Sequence, residues 1–248
     1  MIAFGFWDLA LLAIVSTQAT LLAYVRHPKW KALIMVLPIP FTLASLSLGT
    51  PVNTTHVAAL NLLLAYTHAV RLLHARAGVP IIPAIVLSAA GYCGAGALLR
   101  EVLPLTPAAF WIACVLSLGV AAAAHALFPR HDEPGHRSHL PPWIKFPIIA
   151  GVILMLIMMK RFLQGFMTMF PMVGVVASYE SRTSLGSVCR AMPDFMFAMI
   201  PMMAVVRVVQ PQMGLGPALA AGWLVFIPML TPLIRDFWTA KSPEPRSS

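Results

Sequence analysis

The chain has 248 residues, 59% of them hydrophobic and 10% charged, with a mean hydropathy of +0.83. This excludes the ordinary soluble classes, because no stretch between the apolar runs is long enough to bury a core of its own. A formal charge of +9 would suit nucleic acid, yet the basic residues are scattered at the ends of apolar runs. No nucleic-acid partner is expected, and the partner implied by the composition is the lipid bilayer.

A helix needs about 17 to 25 largely apolar residues to cross the hydrocarbon of a membrane. Such spans are read at Ile2 to Tyr24, Ala32 to Leu48, Val57 to Leu73, Val79 to Leu99, Pro107 to Leu127, Trp143 to Met159, Phe166 to Ser181, Val188 to Val206 and Leu215 to Ile234. The expected fold is all-α, a polytopic transmembrane helical protein of about nine spans. A β-barrel would need polar and apolar residues in alternation, which IIAGVILMLIMM does not show. The first span has no basic residue before it and no small-residue cleavage pattern, so it reads as a retained helix. Cys93, Cys114 and Cys189 share no ligand-like spacing and read as small buried apolar residues.

Charge sets the expected orientation. The side of the N-terminus and every second loop carry Arg100, Lys160, Arg161 and Arg207. The opposite side carries the other basic residues, Arg26, Lys29, Lys31, Arg71, Arg76, Arg130, Arg137, Lys145, Arg182, Arg190, Arg235, Lys241 and Arg246. The N-terminus is therefore expected outside and the C-terminus in the cytoplasm.

Sliding the chain along itself by 133 positions lays Pro38 on Pro171, Ala44 and Ser45 on Ala177 and Ser178, Thr50 on Thr183, and Asn61 on Asp194. The order of landmarks also repeats, down to a Gly/Pro opening of the following span (GVPIIPA against GLGPALA). Spans one to four and six to nine would then be equivalent, with span five as the joint: an inverted repeat of 4+1+4 helices, an arrangement used by secondary transporters whose sites lie near the midplane. The corresponding divisions are 1–102 for the first unit, 103–141 for the linking span and cytoplasmic loop, 142–238 for the second unit, and 239–248 for a disordered tail.

The stretch GFMTMFPMVGVVASYESRTSLGSVCRAMPDFMFAMIPMM resembles the GlpM-type family of small bacterial inner-membrane proteins, through Phe170-Pro171, the continuation to Tyr179, Arg190 and Ile200-Pro201. The likeness covers roughly Ile157 to Pro211. It implies a bacterial inner-membrane location and a duplicated relative of a shorter ancestor, and it supplies no substrate and no catalytic motif.

Asp194 is the sharpest candidate for chemistry, since a carboxylate within a span is costly unless it is paired, wetted or protonated. A carboxyl that takes up and releases a proton there is what a proton-coupled carrier requires. The competing reading pairs Asp194 with Arg190, one turn earlier on the same face. Asn61, its counterpart under the repeat, would meet it at a common site or would act as interhelical glue. His68 shares the face of Asn61 and reads as a packing residue or a proton carrier. Pro38 and Pro171, in LPIP and FPMVG, mark candidate unwound backbone at a substrate site, with packing kinks as the alternative. Tyr179 reads as an interfacial anchor or a ligand, and Glu180 and Arg182 as solvated.

The loop RHDEPGHRSHLPP gathers His131, Asp132, Glu133, His136 and His139, but its Pro-Gly-Ser character reads as a linker, not as a held metal site. The methionines read as irregular packing. No Walker loop, GxGxxG, HExxH or GxSxG is present, so no enzyme, metal or cofactor is expected. The function expected is a secondary transporter, proton-coupled, for a small solute or lipid-linked molecule. The alternative is a non-transporting membrane subunit or assembly factor of an envelope complex, with a homo-oligomer or other membrane subunits as partners.

Overall fold

The computed structural model describes residues 5–25, 28–128, 141–158, 163 and 165–239; for 28, 29, 31, 32, 142, 155, 156 and 233–239 it describes the backbone alone. Among these residues every regular element is helical. In chain order they are α1 (Phe6–Tyr24), α2 (Pro28–Val36), α3 (Ile39–Leu48) and α4 (Thr54–Arg71), which runs on into a π turn, Leu72–Arg76. α5 (Ile81–Val102), α6 (Pro107–Leu127) and α7 (Pro142–Met158) follow, then the single turn α8 (Gly165–Thr168), α9 (Met172–Glu180), α10 (Leu185–Met213) and α11 (Leu215–Thr239).

Among the described residues six helices are long and apolar enough to cross a membrane: α1, α4 with its π turn, α5, α6, α10 and α11. The expected spans two, six and seven are not among these six. Leu33–Leu48 and Trp143–Leu154 are apolar but shorter, and the seventh is divided into α8 and α9. Two of these shortfalls come from proline. Pro38 and Pro171 each stand at the N-cap of the helix that follows, α3 and α9, where a missing N–H does least harm.

Both breaks free a carbonyl inside the bundle, and both are closed by a side chain from another helix. Ile34 O, four residues before Pro38, faces a position where proline offers no N–H to donate. It accepts instead from Gln18 Nε2 of α1 at 2.7 Å. At the second break, Phe170 N turns to Met167 O, and Phe166 O accepts from the Tyr92 hydroxyl of α5 at 2.8 Å. LPIP and FPMVG are thus interrupted backbone whose freed groups the protein itself satisfies, as apolar surroundings require.

The core is built around α10, which packs on α4, α6 and α11. It buries a methionine-rich run including Met192, Met196, Met199, Met202 and Met203, and it remains helical through Pro193, Pro201 and Pro211. Gly222 lets α11 approach it closely: a Cβ there would stand 2.8 Å from Val206 Cγ2 and 3.3 Å from Met202 O. Gly165 does the same where α8 meets the first turn of α4, since a Cβ would fall 2.0 Å from Thr55 Oγ1.

Contacts at both ends fix the helix directions. Asn61 meets Ser117 and His68 stacks on Phe128, so α4 and α6 run parallel. Arg190 meets His125 and Arg207 lies over Phe110 at 5.8 Å, so α10 runs against both. α1 and α7 also pack together, with Tyr24 at the end of α1 beside Lys145 in the first turn of α7.

Candidate functional site

α4, α6 and α10 bring the polar residues of three helices to one end of the bundle. His125 Nδ1 lies 2.8 Å from Asp194 Oδ1. On the other side of the ring, Arg190 Nη2 lies 3.1 Å from His125 Nε2, and Arg190 Nη1 donates to the His125 carbonyl. A guanidinium only donates, so Nε2 accepts and the ring hydrogen sits on Nδ1, from which it donates to the carboxylate. The ring thus stands between the guanidinium of Arg190 and the carboxyl group of Asp194.

This corrects the expected direct pairing of Arg190 with Asp194. The two residues are one turn apart on α10, but the guanidinium spends its hydrogen bonds on α6. His125 is the residue that sequence reading missed. Its signal was present, a single histidine near the end of the alanine-rich run VAAAAHALF, where a buried carboxylate on another helix would find a partner. Asp194 is buried, whereas the His125 side chain is 40% exposed.

Asn61 meets the same linking helix, α6, nearer its N-terminal end. Its Nδ2 donates to Ser117 Oγ at 2.7 Å, joining α4 to α6 as the interhelical reading anticipated. Ser117 and His125 are eight residues apart on α6, about 12 Å of helix rise, so Asn61 and Asp194 share a helix and not a single pocket. His68 stacks on Phe128 with ring centroids 4.2 Å apart, one turn beyond His125 on α6, and its Nε2 is buried with no protein partner. Cys189 Sγ donates to Thr67 O at 3.4 Å, tying α10 to α4 at the same level.

Tyr179 is half-buried, with the Arg182 guanidinium 5.2 Å from its ring centre. Arg182 Nη1 also donates to the Tyr179 carbonyl at 3.2 Å. Glu180 is not solvated, contrary to the sequence reading: its side chain is 1% exposed and paired with Lys145 Nζ, itself 7% exposed. Lys145 also lies 5.5 Å from the ring centre of Tyr24, so this pair binds the start of α7 to the ends of α9 and α1. A second polar clamp, also missed, ties the start of α1 to the end of α3. Ser47 Oγ donates to Asp8 Oδ1, and the Gly5 N–H donates to Asp8 Oδ2 at 2.9 Å.

At the far end of the three-helix seam, Arg207 Nη1 donates to Val52 O at 3.1 Å. Gln210 brackets Val52, donating to its carbonyl at 3.0 Å and accepting from its N–H at 2.9 Å. Asn53 then caps α4, accepting from Thr55 N at 3.0 Å. The ligand-rich group His131, Asp132, Glu133, His136 and His139 lies outside the described residues.

No family model, curated protein or solved structure matches this chain. Function must be argued from the site.

Proposed function

We propose that the protein is a proton-coupled secondary transporter of a small solute or lipid-linked molecule. Its coupling group is Asp194, held through His125 to Arg190. The observation that carries this reading is a buried carboxylate whose partner is a half-exposed imidazole on a different helix, not a fixed ion-pair partner on its own. Structural ion pairs keep their charges in contact; a carboxylate facing an N–H of a tautomeric ring can gain a proton without losing its neighbour. When Asp194 is protonated, the charge of Arg190 stands uncompensated, and the loaded state favours an anionic solute beside it.

The same reading takes the architecture as nine membrane passes in an inverted 4+1+4 repeat, with α2–α3, α7 and α8–α9 as the shorter passes. Five features support it. The breaks at Pro38 and Pro171 lie 133 positions apart, and so do Ser47 and Glu180, the clamp residues at the ends of α3 and α9. α4 runs against α10, and α1 against α7. α6, the joint, touches both α4 and α10. Placing the N-terminus outside and the C-terminus in the cytoplasm of a bacterial inner membrane follows the charge asymmetry and the GlpM-type likeness of Ile157 to Pro211. This orientation sets the Asp194 end of the seam toward the cytoplasm and the Val52 end toward the exterior.

The test is solid-supported-membrane electrophysiology on proteoliposomes, with pH steps and a panel of metabolites, comparing the wild type with Asp194→Asn. The expected result is transient current in the wild type and its loss in the variant; silence in both contradicts transport. Silence would favour the second reading, a membrane subunit or assembly factor. That reading has its own observation: Ala90, Gly91 and Gly94 on α5 and Gly119, Ala122, Ala123 and Ala126 on α6 are exposed, small-residue faces of the kind on which other helices pack in lipid.

A further inference from the structure

Thr54, Asn61 and His68 follow one another at seven-residue spacing on α4, which keeps them on one helix face, with steps of about 10 Å along the axis. The face is the one turned to α6, as the Asn61 bond to Ser117 and the His68 stack on Phe128 establish. Each of the three carries a buried polar atom with no protein partner: Thr54 Oγ1, Asn61 Oδ1 and His68 Nε2. A fourth, Arg190 Nε, lies where α10 joins the same seam. Buried polar atoms are almost always hydrogen-bonded, to protein or to water, and leaving one unpaired is costly. Four of them in sequence along one three-helix contact, running the length of α4, call for a shared solution. In a polar seam that solution is water.

We infer that the contact between α4, α6 and α10 is a water-lined path along which the coupling proton travels from the Thr54 end, past Asn61 and Ser117, to the Asp194–His125 pair. The identity of the carried species rests on the proton-coupled reading above; the wetness of the seam does not. Each hop breaks one O–H bond and forms another. A proton taken from the Thr54 side therefore arrives as one proton on the Asp194 carboxylate, no other reactant is consumed, and the acid releases it past the half-exposed His125 at the other end. Asn61 is a positioning residue on this path. It holds Ser117 from one side and offers Oδ1 as an acceptor.

Substituted-cysteine accessibility tests the path without any known substrate. In the full-length chain with Cys93, Cys114 and Cys189 replaced by alanine, Ser117→Cys and Asn61→Cys are treated with a charged, membrane-impermeant methanethiosulfonate. Leu116→Cys, whose neighbouring side chain is exposed on the outer surface of α6, is the control for lipid. Right-side-out and inverted vesicles are compared, and N-ethylmaleimide labelling in denaturant verifies that each thiol is present. The path predicts modification of Ser117→Cys and Asn61→Cys at least tenfold faster than Leu116→Cys, and faster from the face bearing Thr54. Equal rates at all three positions, or no reaction at Ser117→Cys and Asn61→Cys in vesicles whose protein still melts cooperatively, would overturn it. Because the readout is water access, a wet seam without pH-driven current leaves this inference standing and removes the transporter reading; current with a dry seam does the reverse.

Discussion

A carboxylate inside a bundle gives up its water, and Asp194 does so against an imidazole held in one tautomer by Arg190. The ring is therefore the residue on which the local arrangement depends. His125→Ala would leave Asp194 buried without a partner, and the loss of a hydrogen bond to a charged group is expected to lower stability by about 1.5–3 kcal/mol, read as an earlier thermal transition in detergent. Asp194→Asn should melt close to the wild type, since an amide still accepts from Nδ1. A large destabilisation by the asparagine variant would show that the site is a structural pair. Lys145 and Glu180 behave oppositely, because both charges are enclosed and in direct contact. Glu180→Gln strands the ammonium and should cost about 3–5 kcal/mol; an unchanged melting curve would mean that Lys145 finds other partners. Asp194 stood out in the sequence because a lone acid in an apolar run is conspicuous. Glu180 did not, because SYESRTS is polar on every side and nothing local tells a buried pair from a solvated tract.

At the scale of the helix, the two interrupted spans show which part of the structure is local. The backbone breaks at Pro38 and Pro171, both visible in the sequence as candidates, whereas Pro193, Pro201 and Pro211 leave α10 continuous. The groups that close the breaks are not visible there, because Gln18 lies 16 residues from Ile34 and Tyr92 lies 74 from Phe166. Only tertiary packing selects those partners from the many hydrogen-bonding side chains available. Gln18→Leu keeps the volume and removes the donor, so it should destabilise by about 1–3 kcal/mol in the same melt, whereas Gln18→Leu/Pro38→Ala, which restores the backbone donor, should recover part of the loss. Failure of the second substitution to compensate would argue that Ile34 O is satisfied by another route. Span length was misjudged for a related reason. Hydropathy counts apolar residues through a break, while a continuous helix ends at it, so α2 with α3, and α8 with α9, read as single passes in the sequence.

For the molecule as a whole, apolar composition alone made a helical membrane protein legible, and six of the expected passes are helices of sufficient length and hydropathy. The proposed inversion relates residues far apart in the chain and makes a sided prediction. Thr50 and Thr183 are exposed, in the connections before α4 and α10, and an inversion sets them on opposite faces of the bilayer. Thr50→Cys and Thr183→Cys should be labelled by an impermeant maleimide from opposite sides of oriented vesicles; labelling from one side would refute the inversion while leaving the helical bundle intact.

The coupling role proposed for Asp194 is read from pH-step currents on supported membranes. The account predicts substrate-dependent transient currents that vanish in Asp194→Asn while the variant stays folded. Currents of undiminished size in Asp194→Asn would contradict it, since the only group then lost would be the one to which the coupling has been assigned.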